Sequence, residues 1–237
     1  MTALLAWHGC RADGTTKHLK VKELVGVKTY LAGDVKLCVN ALHGSIRAVD
    51  MLQYSDGLWI KRTLHEGEIV HDYNKIGSSE RTVVAEADAT KLVVDWALWC
   101  ADRAVRIHAV AALRRAGMDT VAEELAGLEA ITDIKSAYAA SNAASNAAHA
   151  ARAAAANAVR TADAAASTAD FAVRDAAHAA DAAANAVRTA DAVRTADAAA
   201  NAACAAANEA DEMNFLNAEL ERRLLALMGL TEMEVTQ

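Results

Sequence analysis

The sequence predicts an α+β fold, a small N-terminal α+β domain followed by a long alanine-rich helical region with a heptad pattern. Three observations carry this. The aromatic and bulky aliphatic residues crowd into the first hundred or so positions. From Ala139 to Ala210 alanine supplies more than half of the chain. Neither glycine nor proline, the two residues that cost a helix most, occurs between Leu128 and Met228. The boundaries read as an α+β domain over 1–116, a connecting helix over 117–138, and the alanine-rich region over 139–237.

From Leu4 to Asp88 the chain reads as short strands and turns around one helix. His18 to Leu31 partly alternates and is rich in β-branched residues, so extended structure interrupted near Gly26 is expected. Ser45 to Tyr54 places Val49 and Leu52 at helical spacing behind a serine N-cap. Leu58–Leu64 and Arg81–Ala87 read as strands joined through turn material at Gly67 and Asn74–Glu80. After Asp88 the period becomes helical through Leu92, Trp96, Trp99, Ala104 and Ile107, up to a stop at Gly117. Thr120 and Glu123 have capping-box spacing for the next helix.

Composition excludes several functions. The net charge of −7 falls mostly on the alanine-rich half, and neither half carries the basic stripe that nucleic acids require. No segment has the roughly 18 consecutive apolar residues of a membrane span. The opening Met1–Cys10 has too short an apolar run, and no preceding positive charge, to read as a lipoprotein signal. Cys10, Cys38, Cys100 and Cys204 are scattered, as in a reducing compartment, so a cytoplasmic protein is expected.

Histidines 8, 18, 43, 65 and 71 are the first candidates for chemistry. Cys38 and His43 stand five apart without a second pair, so no zinc site and no cofactor are expected. His43, Ser45 and Asp50 have the residue types of a hydrolase triad, yet the strand–turn–helix glycine motif is missing. Walker and dinucleotide-binding glycine motifs are missing too.

The segments Leu37–Ser45, Ala48–Gly57 and Glu66–Thr90, with the opening Trp-His-Gly, resemble a family of uncharacterised actinobacterial phage and host proteins. In that family a domain of unknown function precedes alanine-rich repeats. Its pattern falls on Cys38, Leu42, His43, Ser45, Asp50, Leu52, Tyr54, Gly67, Glu68, Lys75, Arg81 and Asp88. The resemblance implies a phage or prophage origin, a bacterial host cytoplasm, with virion association as a variant, and no established activity. Its recurrent polar residues supply the one enzyme or nucleotide-binding reading, with Lys75 and Arg81 on phosphate and His43 as acid/base.

In the alanine-rich half polar residues from Asn142 to Asp191 step by three or four except between His149 and Asn157, and the words at Asn157–Asp163 and Asn185–Asp191 are identical and 28 residues apart. Opposite them Ala158, Ala162, Ala165, Ala169, Ala172, Ala176, Ala179, Ala183, Ala186 and Ala190 form a heptad seam flanked by Val159, Val173 and Val187. Ion pairs are expected at Arg160–Asp163, Asp170–Arg174, Arg188–Asp191 and Arg194–Asp197. One extended helix and a folded-back bundle both satisfy this pattern, with Ser141–Asn146 and the phase slip near Ala192 as the places for a bend. Thr161, Thr168, Thr189 and Thr195 lack the spacing near eleven that an ice-binding face requires. Phe215, Leu216, Leu220, Leu224 and Leu227 form a true apolar stripe that must bury itself. The leading expectation is a non-catalytic structural or interaction protein, its helical region serving as spacer, packing or self-association module.

Overall fold

The computed structural model describes residues 3–17, 20–157, 163–188, 192–207 and 211–231. They form an antiparallel sheet and a set of helices, so the α+β class holds. The strands are β1 (Leu4–Cys10), β2 (Lys28–Tyr30), β3 (Leu42–Gly44), β4 (Trp59–His71) and β5 (Ile76–Asp88). The helices are α1 (Ala48–Leu52), α2 (Thr90–Arg103), α3 (Val110–Arg115), α4 (Asp119–Ala126), α5 (Ile134–Asn157), α6 (Asp163–Arg188), α7 (Ala192–Ala207) and α8 (Glu212–Leu227), with a π-helical turn at Ala104–Ala109 between α2 and α3. Among the described residues no helix is long and apolar enough to cross a membrane. The chain divides into two compact units, residues 1–93 with 217–237, and residues 94–216. The division thus falls inside α2 and α8, whereas the sequence reading places it at 116.

In the first unit the long β4–β5 hairpin is the spine. β1 pairs with the outer edge of β4, while β3 and β2 pair in succession with the other edge of β5. Trp7 and Ser45 then exchange backbone hydrogen bonds of 2.7 and 2.8 Å, which returns the end of β3 to β1 and closes the sheet on itself. This pairing covers the β1 edge at Trp7, while β2 remains an edge strand. Gly44 is required at this seam, because a Cβ there would lie 2.7 Å from His65 Nε2 and 2.8 Å from Ala6 Cβ.

Several sequence expectations shift in detail. The Leu58–Leu64 and Arg81–Ala87 strands extend into strands of 13 residues each. Gly67, with φ +74°, sits where the β4–β5 register slips, so it serves a bulge and not the turn. The reversal itself is at Asp72–Lys75. The extended stretch before Leu31 yields only the three residues of β2. Ser45 does not cap α1. The helix begins after Arg47, and its first amides are met by side chains from α8: Ala48 N–H donates to Glu221 Oε1 and Val49 N–H to Asn217 Oδ1, both at 3.0 Å. Glu221 Oε1 also accepts Trp7 Nε1–H at 3.1 Å. The Thr120–Glu123 box is not formed, since the N-cap of α4 lies two residues earlier, at Met118, with no side-chain cap. The stop at Gly117 holds, with φ +72° and Met118 N–H returning to Leu113 O at 3.0 Å.

The second unit is a folded-back arrangement of separate helices, and a single long heptad helix is not what the structure shows. α5 packs on α6, and α6 on α7. Ser141, early in α5, donates to Asp181, late in α6, at 2.8 Å, so these two helices run antiparallel. Most of the first repeated word, 158–162, and the end of the second, 189–191, lie outside the described residues. Ser141–Asn146, one place expected to bend, is continuous helix. Of the expected seam, Ala169, Ala176 and Ala179 are fully buried and Ala172 nearly so, with Val173 beside them. Asn142, Asn146, His149, Arg174 and His178 lie exposed on the other side. The side chains of Ala158, Val159, Ala162, Ala165, Ala183, Ala186, Val187 and Ala190 lie outside the described residues, as do the expected ion pairs other than Asp170–Arg174. That pair is present at 3.9 Å. Alanine lets helix backbones approach closely, so the gain is dispersion and not large buried area.

Leu216, Leu220 and Leu224 of the C-terminal stripe are fully buried, while Phe215 and Leu227 stay about half exposed. Truncating a buried leucine costs about 2–5 kcal/mol. Leu220→Ala with Leu224→Ala should therefore collapse thermal stability. Ala176→Ser should cost only about 1 kcal/mol, since its hydroxyl can bond back to the helix carbonyl one turn earlier. Thermal melts of the two variants decide, and a larger loss from the serine change would reverse this ranking.

Candidate functional site

Inside the closed sheet the lining is polar. In β4, Lys61, Thr63 and His65 alternate toward the interior and are all fully buried. Arg81 of β5 is paired in register with His65 and donates through Nη2 to both Glu23 carboxylate oxygens at 2.7 Å, with both side chains 2% exposed. Its Nη1 donates to the His43 carbonyl at 2.5 Å. Lys61 Nζ donates to Glu23 O at 2.8 Å and lies 3.3 Å from Glu86. His65 bridges Thr63 Oγ1 at 3.0 Å and Ser78 Oγ at 2.8 Å. Burial, and then the neighbouring Arg81 and His43, hold His65 down to about 3. Burial, followed by Arg81, His65, Lys61 and His43, holds His8 well below the usual histidine range. Both rings are neutral at neutral pH.

Of these residues Arg81 and His8 line a cleft of about 340 Å³ between β1, β3 and α1. Trp7, Leu42 and Met51 give it apolar walls, and Cys38, His43, Tyr54, Lys75 and Arg81 also line it. Among the described residues two polar atoms in the lining have no partner, His8 Nε2 and Thr16 Oγ1, and Thr16 is only 3% exposed. A buried hydroxyl without a partner is costly, and a water or a ligand group entering the cleft would satisfy it.

The rim is set by two turns. Lys36 and Asn40 exchange backbone hydrogen bonds of 2.8 Å, closing a tight hairpin pinned by Asn40 Nδ2 on the Ala32 and Asp34 carbonyls. Its tip residue Cys38 is held at φ +63°, a conformation few non-glycine residues adopt. The Cys38 N–H donates to His43 Nε2 at 3.0 Å, which fixes that nitrogen as an acceptor. From the β4–β5 turn, Lys75 Nζ donates to Cys38 Sγ at 3.0 Å and lies 5.2 Å over the Tyr54 ring. The sulfur contact, more than any other, raises the lysine above its ordinary range, so it stays an ammonium.

His43, Lys75 and Arg81, gathered in sequence only through the family resemblance, thus share one cleft. The roles differ from those the resemblance implies. Arg81 is neutralised by Glu23, and Lys75 faces a thiol. Cys38 and His43 do meet, but through a backbone amide, and among the described residues no cluster of three histidine, cysteine or acidic side chains is arranged to hold a metal. Ser45 is tied by its backbone to Trp7, and Asp50 pairs with Arg47 at 3.8 Å, so the triad types serve structure. His71 is exposed, and His18 lies outside the described residues. His8 and His65 are among the histidines expected as candidates, whereas Glu23, Lys61 and Thr16 are not. The alternation of Lys61, Thr63 and His65 was a usable signal only if the polar face were allowed to point inward.

A histidine whose folded value lies below its unfolded value of 6.5 stabilises the fold fully above that pH and loses the contribution as pH falls toward about 3. Glu219, held to about 2 chiefly by its bond from Arg222, adds a further loss below 4.5. The urea midpoint should therefore decline on acidification from near pH 6.5, and more shallowly in His65→Gln. An identical decline in that variant would remove His65 as its source.

Comparison with known protein families, with curated proteins and with solved structures finds no match to this chain.

Proposed function

We propose that the sheet unit binds a small organic molecule with an apolar body and an anionic or carbonyl-bearing head. The observation that carries this is the convergence of His43, Lys75 and Arg81 on one cleft together with the orphan Thr16 Oγ1 and His8 Nε2. A cavity of about 340 Å³ is within the range of small-ligand sites, which combine apolar walls with a few placed polar groups. More than half of the positions singled out by the phage-family resemblance line it, which supports a site over a chance hollow. Because Glu23 already neutralises Arg81, a dense phosphate cradle fits less well than a singly charged head at Lys75.

Ligand that binds only the folded state raises the melting temperature. Hexanoate and benzoate should raise it at millimolar concentration, inorganic phosphate should not, and Lys75→Ala should weaken the carboxylate effect. No shift with either carboxylate, or an equal shift in Lys75→Ala, would defeat this reading.

A second reading, a non-catalytic interaction protein of phage origin acting through the helical region, draws support from Phe171 on α6, which is 57% exposed. It expects self-association, and a monomer at all concentrations in sedimentation would end it. The buried faces of Ala169, Ala176 and Ala179 are already occupied within the chain, so the partner would meet the Phe171 side.

A further inference from the structure

We propose that Cys38 is a nucleophile that takes the acyl group of a small activated ester or thioester bound in the cleft, with Lys75 moving the proton. This rests on reading the cleft as a ligand site. Four reduced cysteines are present, and their surroundings differ. Cys10 and Cys100 are buried, and burial pushes the Cys10 thiol up to about 11, which makes it inert. Cys38 is exposed, presented at a hairpin tip, and has an ammonium 3.0 Å from its sulfur. A thiolate is the attacking form, and a fixed neighbouring cation favours it. The same cleft holds Thr16 Oγ1, buried and unpartnered, a hydroxyl able to donate to a carbonyl oxygen, and His8 Nε2 beside it. Trp7, Leu42 and Met51 offer the apolar wall an acyl chain would occupy.

The reaction balances within these groups. The Cys38 sulfur adds to the acyl carbon, the S–C bond forms, and the bond from carbon to the leaving oxygen or sulfur breaks. p-Nitrophenolate leaves as the anion with the acyl group held on Cys38, whereas a more basic departing alkoxide takes a proton from Lys75 Nζ, which becomes an amine. That amine then accepts a proton from water as the water oxygen attacks the thioester carbon. The C–S bond breaks and returns the thiolate beside a restored ammonium. The net change is hydrolysis to a carboxylic acid and an alcohol or thiol, with nothing oxidised or reduced.

The full chain incubated with p-nitrophenyl acetate tests this by intact mass, peptide mapping and release of p-nitrophenolate. Acetyl should accumulate on Cys38 about tenfold or more faster than on Cys204, and Lys75→Met should slow it by about tenfold. Iodoacetamide on the unaltered chain gives a check that needs no variant: Cys38 should alkylate faster than Cys204. Acetylation or alkylation of Cys38 no faster than of Cys204, or a Lys75→Met variant reacting at the unaltered rate, would overturn the proposal. If the carboxylate melting shift persists in that outcome, the ligand cleft stands without the nucleophile. If Cys38 reacts selectively while no carboxylate shifts the melt, the nucleophile stands and the cleft needs another ligand.

Discussion

The Glu23–Arg81 ion pair is the constraint around which the sheet unit is built. Two charges at 2% exposure are expensive to take out of water, and their attraction offsets that only with close geometry and further bonds. Both conditions are met. The carboxylate takes the guanidinium through Nη2 on both oxygens and Nε on one, and the remaining Nη1 reaches the His43 carbonyl. Through these bonds the irregular segment before β2 is fastened to β5, and β3 is fastened to both. The pair also sets the field of the interior, since Arg81 helps to keep His8 and His65 uncharged. The neutral His8 imidazole can then serve as acceptor or donor in the cleft lining without adding to the positive charge.

How much of this was legible in the sequence depends on the range over which each interaction acts. The long hairpin, the helix after Asp88 and its stop at Gly117 follow from local periodicity and a residue free to adopt positive φ. The caps of α1 do not, because Asn217 and Glu221 stand more than 160 residues beyond the amides they satisfy. The interior of the sheet was hidden for another reason. Ile60 and Leu64 alternate with Lys61, Thr63 and His65, and the usual rule sends the aliphatic face inward. Arg62, on the aliphatic face, stacks over Trp7 at 4.4 Å instead of meeting water. A strand covered on both faces gives the alternation without its sign. The Cys38–Lys75 contact joins two turns that no spacing rule connects. Only the family resemblance placed both residues on one list.

The helical unit shows what alanine does when it is the principal core residue. Each buried methyl group removes little apolar area from water, so no single position anchors the packing. Closeness over length compensates. α5 and α6 are helices of 24 and 26 residues, and α6 contacts neighbours along several faces. Polar residues at the contact then acquire register value. The Ser141–Asp181 bond forms in only one sliding position of α5 on α6, something a uniform alanine surface cannot specify.

The sheet unit is assembled from the two ends of the chain, and this bears on the order in which it can form. While the chain emerges from the ribosome, β1 to β5 are complete long before α8 exists. Until then the amides of Ala48 and Val49 and the indole N–H of Trp7 lack the acceptors that Asn217 and Glu221 later supply. The nascent sheet must persist as a near-finished form through synthesis of the whole helical unit, and the closure spans so much sequence that its loop entropy slows the final step. α8 thus acts as a latch, fastened only after the helical unit between it and the sheet has been translated.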